Sequence, residues 1–152
     1  MTPTALINTL TRLLREAPAG TPVNNTSLLP PGWAEICRNS PATKYENKVL
    51  LPFLEAQPPA LLAFALGVER LGAYDEMSRR DTVRLLMFDA TPRTPTWCIV
   101  NSLIDKVPAA EYLEEGLRAA ARVRIDLDKL FETVSHFWAI NRYVWADCKV
   151  DK

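Results

Sequence analysis

From Ala60 to Val68 the chain reads ALLAFALGV, apolar on every side of a helix wheel, and Glu69 is its first charged residue after Pro59. A helix of that kind is stable in water only when other elements cover its whole circumference. The rest of the chain must therefore supply a shell of one-sided elements around it. The run is also far shorter than the roughly 20 residues that span a bilayer. With 152 residues the chain is sized for one domain, residues 1–152, which buries about two-thirds of the surface of its extended form.

The shell is legible as helices separated by proline. Thr2 is placed to cap a helix that begins at Pro3 and turns Leu6, Leu10, Leu13 and Leu14 to one side. Residues 17–32 (APAGTPVNNTSLLPPG) hold turn formers without a period and predict a long ordered loop, with Leu28 and Leu29 docked in the core. One or two helical turns follow from Trp33 to Arg38. Ser40-Pro41 then opens a helix with Tyr45, Val49 and Phe53 on one side, which Pro52 is expected to kink or divide.

Beyond the central helix, Ser78 and Asp81 form a weak capping box for a helix with Val83, Leu86 and Met87 inward. In residues 98–107 the opening CIV suits a strand, but Ile99, Leu103 and Val107 recur at four-residue steps and favour a helix. Pro108 starts another, with Leu113, Leu117 and Ala121 inward and Glu114 one turn before Arg118. A final helix runs from about residue 126 to about 147. The expected fold is an all-α, compact single-domain bundle of about six or seven helices with proline-rich connecting loops.

The segment VSHFWAINRYVW (134–145) holds the sole histidine among aromatic rings. On a wheel, Leu127, Leu130, Phe131, Val134, Phe137, Trp138, Val144, Trp145 and Cys148 share one broad face with Asn141, which marks core. The opposite side carries Glu132, His136, Ile140 and Tyr143 in line. A mixed stripe of that composition suits a partner surface, because tyrosine combines contact area with a specific hydroxyl.

Few residues suggest chemistry. One histidine excludes three-histidine zinc sites, and the glycine-rich, nucleophile-elbow and HExxH motifs are missing, so no metal and no cofactor is expected. An enzyme would have to rely on His136, with Glu132 one turn away, or on Cys98. The neighbours Trp97, Ile99 and Val100 suggest that this thiol is buried and unreactive. Three cysteines with no paired spacing point to reduced, mostly buried thiols and a cytoplasmic protein. The N-terminus lacks a signal-peptide pattern, and no membrane association is expected.

Lys and Arg number 18 against 18 Asp and Glu, so no global field draws the protein to nucleic acid or anionic lipid. Arg79, Arg80 and Arg84, with Arg118, Arg122 and Arg124, make two local clusters that could serve a small nucleic-acid-binding regulator, but interleaved acids oppose this. The favoured expectation is a non-enzymatic protein that binds another protein, as an inhibitor or immunity-type protein covering a toxin or enzyme. Its expected contact residues are Glu132, His136, Ile140 and Tyr143, helped by Arg79 and Arg80. Zero net charge also permits a homo-oligomer.

Overall fold

The structure, a computed structural model, describes residues 1–89, 95–105 and 108–140, with backbone alone for 88–89 and 137–140. The fold is all-α. Its elements are α1 (Pro3–Glu16), α2 (Pro31–Arg38), α3 (Pro41–Tyr45), a π-helical turn (Glu46–Leu50), α4 (Leu51–Glu55), α5 (Pro59–Ala73), α6 (Arg79–Asp89), α7 (Thr96–Asp105), α8 (Ala109–Arg122) and α9 (Leu127–Ile140). Because α3, the π turn and α4 are continuous, the described residues form eight helical rods, one more than the upper expectation.

The all-round apolar helix is the axis of the bundle. From Leu61 to Glu69 every residue of α5 is buried, and α1, α6, α7, α8 and α9 pack around it. Its most extensive partner is α8. There Gly72 and Gly116 bring the two backbones so close that a Cβ built on Gly116 would stand 2.0 Å from the Val68 carbonyl oxygen. The inward face of α8 is accordingly small, with Gly116 and Ala120 beside Leu113. Leu117 is half-buried and Ala121 exposed, so the expected inward position of Ala121 is wrong by one residue on the wheel.

The helix starts follow local chemistry. Thr2 Oγ1 accepts from the Ala5 amide, Ser40 Oγ from Thr43 and Ser78 Oγ from Asp81, each satisfying one free N–H of a first turn. Asp128 of α9 adds a long-range cap to α1, its Oδ1 accepting from the Thr4 amide at 3.0 Å and the Thr4 hydroxyl at 2.9 Å. Pro52 does not divide its rod. The Leu51 amide reaches back to the Glu46 carbonyl, five residues earlier, and this π turn carries the helix past the missing proline N–H. The next helix, α5, leaves this rod at an angle of 113°. No single helix among the described residues is long and apolar enough to cross a membrane.

Residues 98–105 belong to α7 and bury Ile99, Val100 and Leu103, in keeping with the helical reading; Val107 lies outside the described residues. In α6, Leu86 is buried and Val83 half-buried as expected, but Met87 is exposed and Thr82 takes an inward place, its hydroxyl donating to the Ser78 carbonyl. The core face of α9 holds as far as its side chains are described, with Leu127 and Val134 buried and Leu130 and Phe131 packed on the core. Phe137, Trp138, Asn141, Val144, Trp145 and Cys148 lie outside that description.

Candidate protein-contact surface

The expected surface stands on two elements. Glu132 and His136 are exposed and one turn apart on α9, while Arg79 and Arg80 are exposed at the start of α6. No extensive packing joins α6 to α9 among the described residues. The Ile140 side chain and Tyr143 lie outside them. The second arginine cluster is divided. Arg118 and Arg122 both donate to Glu115, at 2.9 and 3.1 Å, and Arg124 sits in the α8–α9 turn with φ of 57°. Glu114 is hydrogen-bonded to Arg15 of α1, with the charge of Arg118 also acting on it.

These exposed pairs are electrostatically simple. The hydrogen bond from Arg15 holds the Glu114 carboxyl below its ordinary value of 4.5, and those from Arg118 and then Arg122 do the same for Glu115. Both groups are therefore more acidic folded than unfolded. Their contribution is present above about pH 4.5 and fades as pH falls through the lowered folded values. Exposure keeps it small. Thermal melts should show a lower midpoint on acidification below pH 4.5, and Glu115→Gln should make that acid limb shallower. An unaltered limb would mean that the Glu115 pairs contribute nothing.

Two concave regions bear on catalysis. A cavity of about 490 Å³ lies between the end of α1, residues 17–24, the π turn and the α7–α8 junction. Its buried carboxylate, Glu46, accepts from the Asn24 side-chain amide, and the Tyr45 hydroxyl donates to the Leu13 carbonyl at 2.7 Å. Burial raises the Tyr45 pKa. Both groups are occupied in tying the loop and the π rod to the bundle. The shallower groove between α1 and α8 is lined by the Arg15–Glu114 and Arg12–Glu16 pairs. Cys37 and Cys98 are free thiols and half-buried, and Cys148 lies outside the described residues. Among the described residues no group of three His, Cys, Asp or Glu side chains could hold a metal ion.

The clearest surface feature is one that sequence reasoning placed elsewhere. Leu28 and Leu29 do not dock in the core: Leu28 is 93% exposed and Leu29 37%. Shortly after them in the chain, Trp33 and Ile36 of α2 are 63% and 64% exposed. The cause is local geometry. The loop is fastened before it reaches the leucines, by the Val23 amide on Thr43 Oγ1 and the Asn24 amide on Glu46. A turn closed by the Leu29 amide on the Thr26 carbonyl, followed by Pro30-Pro31, then fixes the path into α2. Arg38 Nη1 donates to Thr26 Oγ1 and ties the end of α2 to that turn.

Helix α2 has only Ala34 buried and rests mainly on α3. At 100° per residue, Gly32 and Ile36 fall opposite Ala34, with Trp33 to one side. The outcome is an exposed apolar ridge along the chain, with Leu28 and Leu29 on the turn and Trp33 and Ile36 about 60° apart on α2. The signal was available in the sequence, since a short helix with a lone alanine inward must turn its large apolar residues out. Comparison with protein-family models, with curated proteins and with solved structures finds no match.

Proposed function

We propose that this protein acts by binding another protein, and that the ridge of Leu28, Leu29, Trp33 and Ile36 is its principal contact. The observation that supports this reading is the exposure of four large apolar side chains within residues 28–36, on a segment tied to the bundle at Val23 and Thr26. Tryptophan anchors dominate binding energy at protein interfaces, and a rigid presentation lowers the entropy lost on association. The largest apolar patch on a monomer commonly spans about 300–600 Å² and is often functional. Within this class we favour a cytoplasmic inhibitor or immunity-type protein, which neutralises a toxin or enzyme by covering one of its surfaces. Glu132 and His136 on α9, with Arg79 and Arg80, form a secondary polar contact in this reading.

Photo-crosslinking in the native host separates the two surfaces. A benzophenone amino acid at position 33 should give a discrete protein adduct, and the same probe at 136 a weaker one. Adducts from 136 alone would move the interface to α9. Silence at both positions would refute protein contact as the function.

A further inference from the structure

We infer that the cavity between the end of α1, residues 17–24, the π turn and the α7–α8 junction binds a small organic cation, an ammonium group carried on an apolar body. The inference is independent of the ridge. Its first support is a buried charge without a counterpart. Glu46 is 6% exposed, yet among the described residues no cation pairs with it. Its hydrogen bond comes from the neutral side-chain amide of Asn24 and occupies Oε2, so Oε1 accepts from no described residue. Carboxylates in such a position are normally paired, because burial takes away the hydration that an ionised group needs. Glu46 lines the cavity, and the cavity is where a pairing cation can reach it.

The walls define the rest of the ligand. At about 490 Å³ the space falls within the roughly 300–1,000 Å³ of small-molecule sites, where apolar walls hold the body and a few polar groups fix its orientation. Leu14, Pro22, Tyr45, Leu50 and Ile104 supply apolar wall. Two further carboxylates, Asp105 and Glu111, line the cavity and are exposed, so their field favours entry of a cation. Arg15, the one cation among the described lining residues, is held by Glu114. Among the described residues no group of three His, Cys, Asp or Glu side chains could hold a metal ion, which leaves an organic cation as the complement of Glu46.

Titration of the isotope-labelled full chain with phenethylamine, followed through its amide chemical shifts, tests this. Phenethyl alcohol and hydrocinnamate serve as the neutral and anionic counterparts. Phenethylamine should saturate with a Kd of about 0.1–1 mM, as suits a ligand of few heavy atoms, and move amides within residues 14–24, 42–50 and 109–111. The alcohol should bind roughly tenfold more weakly, and hydrocinnamate should not saturate below about 10 mM. Glu46→Gln keeps an oxygen for the Asn24 amide and removes the charge. It should weaken phenethylamine about tenfold or more and leave the alcohol unchanged. The comparison of the three probes on the native chain does not depend on how that variant folds. Equal affinity for amine and alcohol would overturn the inference, as would the lack of saturation by the amine below about 10 mM. So would saturable shifts confined to other residues, or undiminished amine affinity in a folded Glu46→Gln chain.

Discussion

Gly116→Ala should lower the unfolding free energy by about 3 kcal/mol or more, out of the 5–15 kcal/mol typical of a domain. The added methyl would lie 2.0 Å from the Val68 oxygen and 2.8 Å from its Cγ1, and Gly72→Ala would place one 1.9 Å from the Tyr112 oxygen. The first obstacle in both cases is backbone, which no rotamer change can move aside. Relief requires α5 and α8 to separate along the most extensive contact in the fold. Alanine's better helix propensity returns only about 1 kcal/mol. The two substitutions should be far from additive, because one separation relieves both. Urea titration gives the measurement, with a lower midpoint and an unchanged slope. Gly32→Ala is the control, since open space surrounds that position and its midpoint should not fall. A wild-type midpoint for Gly116→Ala would contradict the close crossing.

Phe64→Ala should cost about 3–5 kcal/mol, because it removes a fully buried ring from the middle of α5. That ring meets Phe131 of α9 edge to face, with centroids 5.2 Å apart and planes at 64°. Phe131 is only partly buried, so its own truncation should cost less. A double-mutant cycle should return a coupling of about 0.5–1.5 kcal/mol between them. Zero coupling with both single effects present would mean that α9 is held to the bundle by other contacts, Asp128 on Thr4 of α1 among them.

The core was legible wherever pattern and position agree. An apolar run without a polar side could only be the axis, and α5 is. Ser and Thr before proline or a charged first turn marked helix starts, and Thr2, Ser40 and Ser78 cap them. Legibility failed where the answer depends on a neighbour far along the chain. Gly72 and Gly116 are ordinary glycines in sequence, and only the fold sets each against the other helix. Glu114 has Arg118 at the right local spacing, and its charge does act on the carboxylate, but only the fold brings Arg15 of α1 into hydrogen bond with it.

The candidate site shows the same division. Glu132 and His136 are exposed as a wheel predicts, and Arg79 and Arg80 are exposed at the start of α6. In the more telling group, Leu28 and Leu29 read as core because leucines usually lie there, and Trp33 and Ile36 read only as part of a short helix. Leu28 and Leu29 are held out by fastenings at Val23, Asn24 and Thr26, and two of these three bonds come from the α3–α4 rod. Apolar composition alone cannot distinguish a docked loop from a displayed one.

The most direct measurement of the central claim is a paired affinity purification from the native host. One bait is the native chain, and the other carries Trp33→Glu with Ile36→Glu, two exposed changes that leave the melting temperature in place. A discrete foreign chain should elute with the native bait and be missing from the variant. The same chain recovered equally on both baits, or none on either, would contradict the assignment of this protein's work to its apolar ridge.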